Sequence, residues 1–264
     1  MIVLKNVTKI FGRTHVLRDV SLRIEPKEFV CIVGPSGAGK STLIHLLIGA
    51  EDVTSGEVEV DGVNLRAIPA PVMQLYRRRI GVVFQDYKLL PNRTVAENIA
   101  FPLEVSGMSD ADIAARVGEV LAQMGLSERA SAFPSALSGG EKARTAIARA
   151  IVHRPLIVLA DEPTGNLDPG QSLQILQLFQ QLHASGQTVL LATHDSAMVD
   201  TLQTRVVRLE NGMIARDSAG GYHAAPLSDA EPKHEILAGA EEELEKSARR
   251  AAGKRKIRIT SIRS

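Results

Sequence analysis

The chain has 264 residues, of which 44% are apolar and 23% charged, as is typical of a globular protein with one large domain or a domain and a subdomain. A formal net charge of +1, 3% aromatic residues and no tryptophan argue against a strongly basic nucleic-acid binder and against a surface that stacks bases. The sequence shows neither the pattern of a secretory signal nor an apolar run near the ~20 residues of a membrane-spanning helix, so we expect a cytoplasmic protein that reaches a membrane only through a partner.

The first predicted element is an antiparallel β unit. Residues 3–26, VLKNVTKIFGRTHVLRDVSLRIEP, alternate between apolar and polar side chains and contain turn residues, which is the pattern of strands with one solvated face. Later strands differ, because FVCIVG, LIVLA and TVLLA are apolar throughout, as expected for parallel strands covered on both faces. Helix-patterned stretches such as KSTLIHLLIG and LQILQLFQQLHASG alternate with them, so the sequence predicts an α/β fold with a mainly parallel sheet.

A glycine-rich segment follows the first of these apolar strands and precedes a helix. Residues 34–41, GPSGAGKS, fit the pattern G-x-x-x-x-G-K-[ST] in the context that the motif requires. Glycines let backbone N–H groups close around phosphate oxygens, and the positive end of the following helix points at the same anion. Lys40 offers a cation to the β- and γ-phosphates and Ser41 a hydroxyl to Mg²⁺. An ordinary glycine-rich turn is the alternative, and it is disfavoured by the flanking strand and helix.

Gln85 ends the next predicted strand, IGVVFQ. Parallel strands present their carboxyl ends at one edge of the sheet, where the phosphate site also lies. The amide of Gln85 could therefore reach the metal ion or the attacking water. A polar residue that simply leaves a strand explains the pattern equally well, so the residues alone leave both interpretations open.

From about residue 88 to 154 the sequence is helical in period and composition, which predicts a helical insertion between two strands. Within it, residues 137–141 read LSGGE, directly before a helix-prone stretch. Ser138 and Glu141 have the spacing of a capping box, in which the two side chains satisfy backbone donors at a helix start. This local explanation is sufficient for the segment on its own.

The strand LIVLA ends in two carboxylates, Asp161 and Glu162. Asp161 is placed to hold Mg²⁺, directly or through water, and Glu162 to orient or deprotonate an attacking water. Two solvated acids at a strand end are the alternative. The phosphate-binding segment makes nucleotide hydrolysis the better interpretation.

The strand TVLLA leads to His194. A lone histidine after an apolar run is most often structural, but this one ends at the same sheet edge and could sense the γ-phosphate. After about residue 218 the composition shifts to Gly, Ala, Pro and charged residues. We therefore predict an ATPase domain at 1–217, with its insertion at about 88–154, and a flexible or partly helical extension at 218–264.

Six motifs in order, namely the phosphate loop, Gln85, LSGGE, LADE, GNLD and the strand-end His194, resemble those of the nucleotide-binding subunits of ABC transporters over residues 2–216. The resemblance implies a P-loop NTPase fold, with a RecA-like core, an antiparallel β flank and an inserted helical subdomain. It also implies hydrolysis of ATP with Mg²⁺ by a head-to-tail homodimer that sandwiches the nucleotide.

The resemblance assigns roles by position. Glu162, His194 and Gln85 are implied to be catalytic, and Ser41, Gln85 and Asp161 to hold the metal. Phe11 matches the aromatic residue that stacks on adenine, although Tyr is commoner there. Glu141 departs from the commoner Gln of the signature motif, which we do not interpret as inactivating. The residues implied to bind the nucleotide are Phe11, Gly34, Pro35, Ser36, Gly37, Ala38, Gly39, Lys40, Ser41, Thr42, Ser138, Gly139, Gly140 and Asp168.

Within the family, residues 81–107 and the stretch ADEPTGNLD are most similar to ATPases of bacterial cell division. This similarity implies an integral membrane subunit as partner, contacts with other division proteins, a place at the cytoplasmic face of the cell membrane, and control of cell-wall hydrolases. Lipoprotein-releasing and macrolide-exporting ATPases share ADEPTGNLD and remain an alternative. A soluble ABC ATPase acting on nucleic acid or ribosomes usually carries tandem cassettes or coiled-coil insertions, and this chain has neither. A scaffold that binds ATP without hydrolysing it is disfavoured by Glu162 and His194.

The C-terminal extension lies outside the resemblance and ends in a basic cluster. Such residues can attract anionic lipid, or they can belong to a solvated extension that contacts nothing. The cluster consists of Lys254, Arg255, Lys256, Arg258 and Arg263.

Overall fold

The computed structural model describes residues 1–221, apart from the side chains of Ser196 and Ala197. All of these residues belong to one compact unit of the chain. The extension predicted at 218–264 therefore lies outside the described residues from 222 onwards, including its basic cluster.

Ten strands and seven α-helices make up the described part of the chain. The strands are β1 (Ile2–Phe11), β2 (Thr14–Ile24), β3 (Phe29–Val33), β4 (Ser55–Val60), β5 (Val63–Asn64), β6 (Ile80–Val83), β7 (Ile157–Asp161), β8 (Thr188–Thr193), β9 (Arg205–Glu210) and β10 (Met213–Ser218). The helices are α1 (Lys40–Leu47), α2 (Ala70–Arg77), α3 (Val95–Ser106), α4 (Asp110–Gln123), α5 (Gly139–Ile151), α6 (Pro169–Ala184) and α7 (Ser196–Leu202). No helix in this part of the chain combines the length and the apolarity that crossing a membrane requires.

Two sheets organise these elements. The first has the order β2-β1-β4-β5 and is antiparallel throughout, which confirms the predicted antiparallel flank. The second has the order β10-β9-β3-β8-β7-β6, and only its edge strand β10 runs against the others. The mainly parallel sheet of the predicted α/β fold is thus confirmed.

A single stretch of the sequence forms two strands. The run TRVVRLENGMIA is broken into β9 and β10 by a two-residue turn at Asn211 and Gly212, both of which have positive φ angles, of 50° and 80°. An Asn-Gly pair favours this turn, because its backbone twist matches that of the two strands it joins.

The parallel sheet is covered on both faces, as its apolar strands predict. In β3, Cys31 and Val33 pack with side chains of α3 to α6 on one face. Val30 and Ile32 pack on the other face with α1 and the antiparallel sheet. Burial on both faces fixes the position of each strand, and therefore the position of the sheet edge at which polar residues follow the strands.

Helices fill the chain between β6 and β7. Here α3 packs against α4 and α5, in the region where the sequence predicts an insertion, and we propose that these helices form the family's helical subdomain. A single buried side chain, Asn98 on α3, fixes the loop that leads into them. Its Oδ1 accepts from Leu90 N–H at 2.8 Å, and its Nδ2 donates to the carbonyls of Leu90, Arg93 and Thr94 at 2.9–3.1 Å.

Replacement of Asn98 by Leu is expected to lower the free energy of unfolding by about 3 kcal/mol, because it leaves buried backbone groups without partners. Thermal unfolding of the full chain measures the effect as a fall of several degrees in Tm. Asn92→Leu in the same loop is the control, since Asn92 is exposed. An equal Tm for the two variants would contradict the role assigned to Asn98.

Candidate functional site

The phosphate loop joins β3 to α1 through backbone that only glycine accommodates. A Cβ at Gly34 would lie 2.2 Å from the carbonyl oxygen of Leu209, and one at Gly39 would lie 2.6 Å from Leu17 Cδ2 at a φ of 104°. Helix α1 starts directly after Gly39 with no side-chain cap and no acidic residue in its first turn. Its N-terminal N–H groups therefore remain for an anion.

Lys40, the first residue of α1, is buried with its ammonium inside the loop. Nζ donates to the carbonyl oxygens of Gly34 at 2.8 Å and Pro35 at 3.1 Å, and it lies 3.4 Å from Glu162 Oε1. A buried charge needs such partners. The cation predicted to meet the phosphates is thus held at the loop, in contact with the predicted catalytic carboxylate.

Asp161 ends β7 beside α1, with its carboxylate almost wholly buried. Burial raises the pKa of this carboxyl group above its usual value, and a hydrogen bond with the Ser41 hydroxyl offsets part of the rise. Oδ1 has no hydrogen-bond partner among the described residues. A buried carboxylate oxygen without a partner next to a hydroxyl is suited to a cation with oxygen ligands.

The donor set around Asp161 fits Mg²⁺ in the way that nucleotide sites hold it. No group of three or more His, Cys, Asp and Glu side chains within residues 1–221 could bind a metal by itself. Mg²⁺ is commonly held by one or two protein oxygens together with substrate phosphates and water, and Ser41 and Asp161 supply such oxygens.

Glu162 lies between Lys40 and His194 and is only 8% exposed. Its Oε2 accepts from His194 Nδ1 at 2.9 Å and from the His194 backbone N–H at 3.3 Å, while Oε1 faces Lys40. Its φ is 46°, an uncommon value for a residue with a side chain and one often associated with functional sites. The structure thus brings Lys40, Asp161, Glu162 and His194 together at one sheet edge, as the strand ends predict.

Gln85 leaves β6 at the same edge, two residues after the strand ends, and its side chain is exposed. Its backbone carbonyl accepts a hydrogen bond from Asn166 Nδ2 at 3.5 Å. A role for the amide at the metal or the water stays a prediction.

The LSGGE segment contains the predicted capping box. Ser138 is the N-cap of α5; it accepts from the Glu141 N–H at 3.3 Å, and its own N–H donates to Glu141 Oε2 at 2.8 Å. No hydrogen bond or ion pair within the described chain joins Ser138, Gly139 or Gly140 to the phosphate loop. Within one copy of the chain, no polar contact among the described residues therefore links the two motifs.

The GNLD segment lies beside LSGGE, a proximity that the sequence does not reveal. A Cβ at Gly139 would be 3.0 Å from Leu167 Cδ2. The next residue, Asp168, is exposed and caps α6 by accepting from the Gln171 N–H at 2.9 Å. The LSGGE and GNLD segments thus lie next to each other.

Phe11 ends β1 and is 44% exposed. The Lys9 ammonium lies 4.6 Å from its ring centroid and also donates to Glu51 Oε2 at 2.8 Å. A cation over an aromatic ring stabilises the ring's position, so one face is taken and the other could receive a base. Lys9 carries no motif signal that would have identified it.

Arg149 is a second residue that the sequence analysis missed. From the last turn of α5 it donates to the carbonyls of Tyr87 and Lys88, both at 2.7 Å, and burial lowers the pKa of its guanidinium. Tyr87 and Lys88 have positive φ angles. Arg149 thus holds the turn that follows Gln85 against the helix that begins at LSGGE.

Comparisons with known proteins identify the family of the chain. A family model described as ABC transporter matches residues 17–165. The chain is 49% identical over 224 residues to the cell division ATP-binding protein FtsE of Streptococcus pneumoniae serotype 2 (strain D39), which covers 84% of this chain and 97% of the relative. It is 46% identical over 225 residues to FtsE of Mycobacterium tuberculosis (strain H37Rv), covering 84% and 98% respectively. A solved dimer of the ATP-binding cassette MJ0796, in a post-hydrolysis state bound to ADP and Pi, matches with a TM-score of 0.77 and 36% identity over 83% of this chain and 98% of that one.

Proposed function

The chain belongs to the ABC transporter family of ATPases, and we propose that it is the ATP-hydrolysing subunit of an FtsE–FtsX type complex in bacterial cell division. The observation that carries the proposal is its identity of 46–49% to FtsE proteins along nearly their whole length. The lipoprotein-releasing or macrolide-exporting alternative is not favoured, because these relatives are division proteins. No observation favours a soluble ABC ATPase or a partner nucleic acid.

The phosphate loop and its neighbours suit binding of the ATP phosphates. The N–H groups at the start of α1 and the Lys40 ammonium face the anion, and Phe11 offers its free face to adenine. Ser41 and Asp161, with Gln85, would hold Mg²⁺, which neutralises phosphate charge when bound. Lys40 leaves Glu162 as it turns towards the phosphates, and the carboxylate becomes free to act.

Glu162 is the general base in this proposal. A carboxylate oxygen accepts a proton from the attacking water as the water oxygen bonds to the γ-phosphorus and the bond to the ADP oxygen breaks. His194 donates to Glu162, and in this proposal it would contact the γ-phosphate once Glu162 turns to the water. ADP and phosphate are the products.

Two copies complete each site. Because no hydrogen bond or ion pair joins Ser138, Gly139 or Gly140 to the phosphate loop of their own chain, we propose that they contact ATP held by the other copy, with Asp168 at the same interface. Two chains related by a twofold axis then form two equal sites. The dimeric form of the related cassette MJ0796 supports this arrangement.

A groove between α2 and α3 is the proposed contact for the integral membrane subunit. It is a cavity of about 390 Å³, and it includes the exposed apolar residues Phe101, Val105 and Met108 beside Arg77 and Arg78. Clustered exposed apolar side chains commonly mark protein interaction sites. Through this contact the chain would work at the cytoplasmic face of the cell membrane, with other division proteins, to regulate cell-wall hydrolysis.

An FtsX-type membrane protein produced together with this chain is expected to co-purify with it. Phe101→Asp should lower the amount recovered by about tenfold, since it places a charge in the apolar groove. Val63→Asp is the control, because Val63 is a similarly exposed apolar residue outside the groove. Thermal unfolding separates loss of docking from loss of fold. Absence of co-purification by the unmodified chain would contradict the FtsE–FtsX proposal.

A further inference from the structure

A carboxylate lies inside the surface proposed to meet the γ-phosphate. Glu141 follows the two glycines of LSGGE, and both of its oxygens have partners. Oε2 accepts from the Ser138 N–H and from the Ser138 hydroxyl, both at 2.8 Å, and Oε1 accepts from Arg129 Nε at 2.8 Å. These contacts lower the pKa of Glu141 to about 2, and the hydrogen bond from the Ser138 N–H makes the largest contribution. The side chain is therefore negatively charged at neutral pH.

This charge conflicts with phosphate binding in two ways. The Ser138 hydroxyl has a single proton, and in the structure it is donated to Glu141 rather than left for a ligand. A carboxylate next to the N–H groups of Gly139 and Gly140 also repels a phosphate that approaches them. An uncharged residue at position 141 would cause no such repulsion.

Arg129 supplies the compensating charge. It ends a short 3₁₀ turn at Ser127–Arg129, and its side chain is 53% exposed while that of Glu141 is 15% exposed. A guanidinium stays protonated at any physiological pH. Its contact with Oε1 fixes the carboxylate plane, and the backbone N–H of Ser138 still satisfies Oε2 when the hydroxyl turns away.

We propose that Arg129 is a positioning residue for ATP hydrolysis in this chain. By pairing with Glu141 it cancels the charge of this carboxylate, so that the Ser138 hydroxyl and the adjacent glycine N–H groups can approach the γ-phosphate held by a second copy. The inference rests on the proposed head-to-tail site and names the residue that adapts the site to a glutamate at this position.

Arg129 could instead simply tether its turn to α5. The two explanations differ in their dependence on the charge at position 141. Electrostatic compensation matters only while residue 141 is a carboxylate, and it matters more at low salt, because exposed charges are then less screened. A tether would be needed equally with glutamine at position 141 and would respond little to salt.

The test measures ATP-driven dimerisation of the full chain by sedimentation velocity, with Mg²⁺, in a Glu162→Gln background that prevents turnover. Arg129→Ala is expected to raise the ATP concentration for half-dimerisation by about tenfold, as for an uncompensated charge at an interface, and more strongly at low salt. Arg129→Lys should raise it by no more than about twofold, since it keeps the charge. With Glu141→Gln also present, Arg129→Ala should change it by less than about twofold.

Controls separate the possible outcomes. Arg23→Ala removes another exposed Arg–Glu pair, which Arg23 of β2 forms with Glu25 just after that strand, and should leave dimerisation unchanged. ATP binding by the monomer should be equal in all Arg129 variants. The inference would be overturned, and the head-to-tail site would stand, if Arg129→Ala left the ATP concentration for half-dimerisation unchanged. The same would hold if Arg129→Ala raised this concentration equally with Glu and with Gln at position 141. A parent protein that binds ATP without ever dimerising would overturn that site and the inference with it.

Discussion

Replacement of Glu162 by Gln is expected to lower the rate of ATP hydrolysis by at least about a hundredfold, while a dimer with bound ATP accumulates. An amide oxygen cannot take the proton from the attacking water, and general bases contribute about 10²–10⁴-fold to such reactions. The change is nearly isosteric, so the phosphate loop and α1 should still bind ATP. Steady-state phosphate release gives the rate, and sedimentation velocity gives the dimer.

A matched carboxylate outside the site gives the control for this prediction. Glu57 on β4 is exposed, and its Oε2 lies 3.7 Å from Lys5 Nζ. The Glu57→Gln variant should hydrolyse ATP as fast as the unmodified chain. If Glu162→Gln also kept its activity, the general base would have to be another group, and the contacts of Glu162 with Lys40 and His194 would be purely structural.

Replacement of Gly139 by Asp is the second large effect that we expect. It should abolish hydrolysis, by at least about a hundredfold, and leave ATP binding by the monomer unchanged. The new Cβ would lie 3.0 Å from Leu167 Cδ2, and the added carboxylate would repel the phosphate that approaches LSGGE. Loss of a single well-placed hydrogen-bond donor to the charge that develops in a transition state costs about 10²–10³ in rate by itself.

Two further variants separate bulk from charge at position 139. Gly139→Ala adds the same Cβ without the charge and should reduce hydrolysis less than Gly139→Asp. Gly118→Asp places a carboxylate at an exposed position of α4 where a Cβ meets no atom within 4 Å, so its rate should be unchanged. Weak ATP binding by the Gly139→Asp monomer, measured with a fluorescent analogue, would show that LSGGE serves its own chain's nucleotide instead.

The sequence predicts those parts of the site that depend on local physics or on sheet geometry. The phosphate loop needs glycines at fixed spacing, and the capping box needs Ser138 and Glu141 three residues apart, so both are readable in one dimension. The meeting of Glu162 with His194, 32 residues later, is predictable because parallel strands end at one edge. Their direct hydrogen bond agrees with that expectation.

Contacts between long side chains are a different matter. Three such contacts depend on how loops and helices pack after the fold has formed. They are those of Arg129 with Glu141, of Arg149 with the carbonyls of residues 87 and 88, and of Lys9 with the Phe11 ring. Arginine and lysine are common on any surface, so their spacing carries little information. The short helices α2 and α7 were not predicted either, because seven or eight residues give little periodicity and neither helix follows a motif that requires one, as α1 follows the phosphate loop.

Helix α5 connects the two surfaces that the function requires. It begins directly after its N-cap Ser138, and 13 residues at 1.5 Å each make it about 20 Å long. Near the C-terminal end of α5, Arg149 holds the turn after Gln85, and from this turn the chain runs into α3 and the groove at Phe101. At the same end, Arg116 of α4 donates to the carbonyl of Val152 at 2.8 Å. Helix α5 therefore connects the LSGGE segment to the groove through direct hydrogen bonds at its C-terminal end. In the proposed dimer, ATP would draw the LSGGE end towards a second copy and the groove would move with it, so that the proposed membrane subunit would receive a displacement rather than a chemical signal.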